Sequence, residues 1–213
     1  MCGIFGIASK KTISKKLIRK ILLETKIRGK HATGISFIKN NEIYSKIINK
    51  SAEHLSLDGV ETSIIIGHCR YSTSSLEYNQ PIYNKEISIV HNGVITQKDP
   101  NEWDDNYKFT TKNDSEFILK SWIDNKHPIN DYPNSSIASI ILQKDGMIHF
   151  FRNEKRPLYF YQDKELFIIS STKNILLRSG FDNPVKTEAC LNYMIDKQNV
   201  YTKEIRKYKN DLQ

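Results

Sequence analysis

The chain has 213 residues, 38% hydrophobic and 26% charged, which excludes a disordered, collagen-like or low-complexity chain and suits a single domain with an unstapled core. No apolar run approaches the ~20 residues of a membrane span, and the N-terminal basic residues follow a short apolar stretch, the reverse of a signal peptide, so a cytoplasmic protein is expected. The net charge of +8 is mostly dispersed lysine; the denser stretches from Lys10 to Lys20 and from Lys203 to Lys209 read as solvated helix faces, and nucleic acid is not expected as a direct ligand.

In chain order, Gly3 to Ile7 reads as a short buried strand. Ser14 suits the N-cap of a helix running to about Lys26, with Leu17, Ile18, Ile21 and Leu22 on one face, broken by Arg28-Gly29-Lys30. Gly34 to Ile38 and Glu42 to Ile48 form a strand pair around Asn40-Asn41, and the β-branched run Ser63 to His68 is a central strand. Tyr71 to Tyr78 is loop. Glu86 to His91 is a strand halted at Asn92-Gly93, and Asn101 to Lys112 is loop. Asp114 or Ser115 caps a helix to about Asp124. Two hairpins follow, Ser136 to Gln143 with Met147 to Arg152, and Leu158 to Gln162 with Leu166 to Ser170. Lys173 to Arg178 is a short helix stopped by Gly180, and residues 181–213 are helix-compatible but weakly patterned. Strands and hairpins dominate, which implies an antiparallel α+β protein without a Rossmann or Walker phosphate loop.

The three cysteines, Cys2, Cys69 and Cys190, are odd in number and lack metal-ligand spacing. Cys2 becomes the N-terminal residue when Met1 is removed. It then carries a nucleophilic thiol and its own base, because an α-amine, with an ordinary pKa of about 7.7 to 8.0, is partly neutral near physiological pH. Taken alone, Cys2 reads more readily as a small buried residue opening a strand.

Other segments bear on that choice. Cys2-Gly3-Ile4-Phe5-Gly6 resembles the start of class II glutamine amidotransferase domains, which are N-terminal-nucleophile hydrolases. Arg28-Gly29-Lys30-His31-Ala32-Thr33-Gly34-Ile35 is similar to that family's R-G-x-D-x-x-G-I segment, and Gly67-His68-Cys69-Arg70-Tyr71-Ser72-Thr73 to its G-H-x-R-[YW]-x-T. Asn79-Gln80-Pro81, His91-Asn92-Gly93-Val94-Ile95 and Asn113-Asp114-Ser115-Glu116 resemble its N-x-[HQ]-P, H-N-G-x-[IL] and [TS]-D-[ST]-E signatures. Arg152 with Pro157-Leu158-Tyr159, and Ser170-Ser171 with Asn174-Ile175-Leu176, match later segments more loosely. The matches fall in family order over residues 2 to about 178.

The resemblance implies a four-layer αββα sandwich of two antiparallel sheets. It implies one amidotransferase domain over residues 1–213, with 179–213 as a C-terminal extension. It also implies a glutaminase acting on L-glutamine through a Cys2 thioester, with no cofactor and no metal. Arg70 matches the arginine that holds the substrate carboxylate, a role that suits a guanidinium fork. Thr73 matches a threonine at the same group, and Asp114 the acid that pairs with the substrate ammonium. Asn92 and Gly93 match an oxyanion hole, with Gly93 also contacting substrate. Arg28, Gly29 and His31 fall in a loop near the site. His31 stands where the family usually has Asp, so that loop's closing interactions are expected to differ. His68 and His91 read as structural, and Cys69 and Cys190 receive no role. The residues outside the motifs are too few for an acceptor domain, so the ammonia is expected to go to a separate synthetase subunit. Two alternatives stand beside this reading: another N-terminal-cysteine amide hydrolase of the acylase kind, and a catalytically silent domain that binds glutamine or a partner.

Overall fold

A computed structural model describes residues 2–72, 76–103, 107–196 and 199–205. In chain order the elements are β1 (Gly3–Ser9), α1 (Lys15–Thr25), β2 (Ala32–Lys39), β3 (Glu42–Ile48), β4 (Ile64–Arg70), β5 (Ile82–Tyr83) and β6 (Ile87–His91). Next come α2 (Glu116–Ile123), α3 (Pro128–Asp131), β7 (Ala138–Gln143), β8 (Ile148–Arg152), β9 (Tyr159–Gln162) and β10 (Leu166–Ser170). α4 (Lys173–Arg178), β11 (Val185–Lys186), β12 (Leu191–Asp196) and β13 (Asn199–Glu204) follow.

The strands build two antiparallel sheets, ordered β11-β9-β10-β1-β4-β2-β3 and β13-β12-β8-β7-β6-β5. Side-chain parity explains how they stack, since successive residues of a strand point to opposite faces. On β1, Ile4 and Ala8 join Ile66, Val90, Ile140, Phe150 and Ile169 in the core between the sheets. Phe5 and Ile7 point the other way, into a core closed by Ile18, Ile21 and Leu22 of α1. On the second sheet, Ile89, Ile141 and Phe151 turn outward against Ile118 and Leu119 of α2. The result is the expected αββα sandwich. A polar contact crosses between the sheets, Ser36 Oγ to Ser88 Oγ at 2.7 Å.

Local chemistry follows the sequence in most places. Ser14 Oγ accepts from Leu17 N at 3.2 Å, capping α1, and Asn40 and Asn41 both take positive φ in the β2–β3 turn. Three readings need correction. Asp114 does not cap α2: Ser115 holds the N-cap position without a side-chain cap bond. The Asp114 carboxylate instead reaches back across the chain to Ile95 and Thr96.

The second correction concerns residues 181–205, whose described part contains no helix; residues 206–213 lie outside the described residues. The described part supplies β11 to the first sheet and β12 and β13 to the second. The reason is period two: Tyr193 and Ile195 face the inter-sheet core while Asn192 and Met194 lie on the other face. The extension therefore adds strands to both sheets. Third, the short elements β5 and α3 lie in stretches that carry no clear sequence pattern. No helix among the described residues is long and apolar enough to cross a membrane.

Candidate active site

The antiparallel registers bring the motifs to one end of the sandwich. Gly3 pairs with Cys69, and Ala32 with Arg70, so β1 starts, β2 starts and β4 ends at the same edge. Parity then decides which side chains share a face. Ile4 and Ile66 point between the sheets, so Cys2, His68 and Arg70 lie on that side, whereas Cys69 packs against α1, its Sγ 3.8 Å from Leu22 O. By the same rule Val90 places Asn92 on the inner side, just past the end of β6.

Cys2 is partly buried, and its thiol points at the Tyr71 carbonyl, 3.9 Å away. Arg28 Nε donates to the Cys2 carbonyl at 3.0 Å. Burial lowers the Arg28 guanidinium below its ordinary pKa, an effect opposed by Cys2 and reinforced by Arg156. Arg70 is likewise lowered by burial and is supported by Cys2 and Asp114. Its Nη1 donates to Tyr78 O at 2.7 Å and Asn79 Oδ1 at 2.6 Å, which fixes the guanidinium plane. Gly29 is extended. A Cβ there would sit 2.3 Å from the Arg70 carbonyl carbon, so the residue is glycine for close approach of two backbones.

Asn92 is 2% exposed and its Nδ2 has no hydrogen-bond partner among the described residues. Its backbone is fully engaged: Asn92 N donates to Ala138 O at 2.9 Å and Ala138 N to Asn92 O at 3.2 Å. Val94 N donates to Ser136 O at 3.0 Å, and the alternation of an antiparallel ladder turns the intervening Gly93 N–H away from that neighbour. A Cβ on Gly93 would fall 1.8 Å from Ser136 O, so no other residue fits there.

Behind this turn lies a closed polar ring that sequence reading missed. His91 Nε2 faces the Ser136 carbonyl at 3.1 Å, an acceptor, so the proton sits on Nε2 and Nδ1 accepts from Ser115 Oγ at 2.9 Å. Gln80 Nε2 donates to Ser115 Oγ at 3.0 Å, and Gln80 Oε1 accepts from His91 N at 2.6 Å. Burial lowers the His91 pKa, opposed by Asp114. Asp114 Oδ2 accepts from Ile95 N at 2.7 Å and Thr96 N at 3.2 Å, so the carboxylate is anchored beside the segment that follows Gly93. Glu116, fully buried, accepts from the backbone and hydroxyls of Thr110 and Thr111 at 2.7 to 2.9 Å and so clamps the preceding loop.

The structure thus gathers Cys2, Arg28, Gly29, Arg70, Asn92, Gly93 and Asp114 around one end of the sandwich. His31 is exposed nearby, and Thr73 lies outside the described residues. Arg156, which sequence reading passed over although it precedes Pro157-Leu158, also reaches this end, its Nε 3.2 Å from Ser136 Oγ. Arg152 does not: it is buried and spent on Thr187 and Asn153 carbonyls. Burial pushes the Cys69 thiol up to about 12 and the His68 imidazole down to about 3. Cys69 is therefore an inert thiol and His68 a neutral ring. A cavity of about 1150 Å³ opens elsewhere, on the outer face of β8 and β12 among Trp122, His127, His149 and Asn192; none of the motif residues line it.

Comparison with known proteins bears on the family and the fold. Residues 53–211 match the model of a glutamine amidotransferase domain family. A glutamine–fructose-6-phosphate aminotransferase of Wigglesworthia glossinidia brevipalpis is 30% identical over 87% of this chain and 30% of its own length. An amidophosphoribosyltransferase of Mycobacterium leprae is 27% identical over 44% of this chain and 19% of its own. The chain therefore spans about a third or less of these relatives. Among solved structures, the glutamine phosphoribosylpyrophosphate amidotransferase from B. subtilis superposes with a TM-score of 0.80 at 19% identity, over 96% of this chain and 49% of that one. A glutamine aminotransferase class-II domain protein from Silicibacter pomeroyi superposes with a TM-score of 0.62 at 9% identity, over 96% of this chain and all of that one.

Proposed function

The chain belongs to the class II glutamine amidotransferases, amide hydrolases with an N-terminal cysteine nucleophile, and we propose that it hydrolyses L-glutamine to glutamate and ammonia at the end of the sandwich formed by Cys2, Arg70, Asn92, Gly93 and Asp114. The observation that carries the reading is the buried, unpartnered Nδ2 of Asn92 on the Cys2 side of the inter-sheet face. An orphaned buried donor is costly, by about 1 to 3 kcal/mol, and a donor kept without a partner is what a developing oxyanion requires. The shared inter-sheet core supports reading residues 1–213 as a single amidotransferase unit.

The reaction balances on these groups. Once Met1 is removed, the Cys2 α-amine takes the thiol proton as Sγ attacks the glutamine Cδ. The carbonyl becomes an oxyanion that Asn92 Nδ2 and the Gly93 N–H receive. The C–N bond then breaks, the amide nitrogen leaves with that proton as ammonia, and a γ-glutamyl thioester remains. Water adds to the thioester, the sulfur leaves and regains a proton, and glutamate is released. Arg70 holds the substrate carboxylate and Asp114 faces the ammonium. Arg28, Gly29 and His31 shape the rim. The Arg28 and Arg70 guanidiniums each lie close enough to Cys2 to interact with it, and two cations beside the thiol support an anionic substrate group here.

The ammonia passes to an acceptor reaction on a separate synthetase subunit. The names of the relatives support transfer, because each describes an aminotransferase or phosphoribosyltransferase larger than the matched region. The test is glutamate release from L-glutamine by purified protein whose intact mass shows loss of Met1. Turnover that disappears in Cys2→Ala supports the reading. No turnover by the Met1-free protein, with or without a candidate acceptor enzyme, overturns it.

A further inference from the structure

The peptide unit between Tyr71 and Ser72 touches two functional side chains at once. Its N–H donates to His31 Nδ1 at 2.9 Å, and its C=O faces the Cys2 thiol at 3.9 Å. His31 is itself held in place: its own N–H donates to the Arg70 carbonyl at 3.0 Å, and its ring lies on the Tyr71 ring with centroids 5.1 Å apart. We propose that His31 is a positioning residue for the nucleophile, its neutral imidazole fixing the Tyr71–Ser72 peptide so that the carbonyl holds the Cys2 thiol in line for attack. This rests on the glutaminase reading given above.

The argument is one of donor and acceptor balance. A backbone N–H needs an acceptor, and Nδ1 accepts only while it is unprotonated. A protonated ring turns Nδ1 into a donor, and two donors then face each other at hydrogen-bond distance. The peptide is released, and with it the carbonyl that faces Cys2. A peptide that is polarised at its N–H is also a better acceptor at its C=O, so the two contacts reinforce each other. Among the described residues, Tyr71 lies against the imidazole, Lys30 is its chain neighbour, Arg70 meets its backbone through a carbonyl, and Cys2 with its neighbour Arg28 lies beyond the peptide. An Asp at this position accepts from the same N–H without becoming a donor anywhere near neutral pH, so histidine makes the contact sensitive to a second proton.

Two measurements on the full chain test this. In proton–nitrogen NMR, the Ser72 amide resonance should move together with the His31 ring titration, and His31→Asp should abolish that movement. In glutaminase assays, the acid limb of log kcat/KM against pH should run steeper than a slope of one where His31 gains its proton, because that proton removes one supporting hydrogen bond in addition to the protonation of the nucleophile's amine. His31→Asp should return it to a slope of about one, and His31→Ala should lose about tenfold in kcat/KM, the scale of one hydrogen bond. A Ser72 amide indifferent to His31 protonation overturns the proposal whether or not the chain is a glutaminase. An acid limb of equal slope in wild type and His31→Asp overturns it too. A chain inactive on glutamine but with a coupled Ser72 amide keeps the contact and sinks the glutaminase reading instead.

Discussion

His91 Nδ1 lies 2.9 Å from Ser115 Oγ, and this contact ties the strand end that carries Asn92 and Gly93 to the start of the helix that follows Asp114. Two motifs more than twenty residues apart are thereby held as one rigid piece, with Gln80 closing the ring from a third. The groups assigned to the oxyanion and to the ammonium thus share a support.

Ser115→Ala breaks that ring. It leaves His91 Nδ1 and Gln80 Nε2 buried without partners, at about 1 to 3 kcal/mol of stability. For a chain of this size that is a fall of roughly 2 to 4 °C in Tm per kcal/mol. Thermal unfolding followed by calorimetry checks it. An unchanged Tm would mean that the ring does not hold the turn.

Asn92→Ala separates catalysis from stability. The Nδ2 has no partner to lose, so unfolding should stay within about 1 kcal/mol of wild type. Turnover should fall about 10²- to 10³-fold, with KM little changed, because the donor serves the transition state rather than the bound substrate. Steady-state kinetics beside a denaturant curve reads both. A large loss of stability with activity retained would assign Asn92 to the scaffold.

Native-state alkylation should leave Cys69 unmodified. Its thiol is buried and pushed up to about 12, so almost no thiolate exists at neutral pH. Iodoacetamide treatment followed by peptide mass analysis should find the label on Cys2 and spare Cys69 until the protein is unfolded. Rapid labelling of Cys69 in the folded protein would contradict the packing of β4 against α1.

Stability should fall on the acid side of neutrality. His68 is held near 3, and His127 and His149 near 4, chiefly by burial, against 6.5 for a free imidazole. The unfolded rings take up protons as pH drops through 6.5 while the folded ones stay neutral, so the unfolded state binds more protons across that interval. Each unit of difference is worth about 1.4 kcal/mol. Tm should be level above about pH 7 and decline steadily toward pH 4.5, and the decline should be shallower in His68→Gln. A flat Tm over that range would show that these rings are protonated in the fold.

Much of this was legible in the sequence because it is local. The Ser14 cap, the Asn40-Asn41 turn and the short apolar runs that become β1 and β4 each depend on residues a few positions apart. The ordered motifs named Cys2, Arg70, Asn92, Gly93 and Asp114, and strand parity explains why they converge. What escaped was the contact between distant segments. Asp114 looked like a helix cap because its carboxylate sits next to a helix start, but two backbone N–H groups from Ile95 and Thr96 bind it instead. The ring of Gln80, His91 and Ser115 is invisible until three segments fold together. The strands after Gly180 were hidden by short length and by polar residues at the outward positions, such as Asn192, so their period of two was faint.

The central claim is that Cys2 carries the acyl group. Protein mixed with excess L-glutamine, quenched in acid during turnover and digested, should yield an N-terminal peptide that begins at Cys2 and carries a γ-glutamyl group removable by hydroxylamine. A γ-glutamyl group on Cys69 or Cys190, or steady glutamate production with the Cys2 peptide unmodified in every quench and with Cys2→Ala as active as wild type, would contradict it.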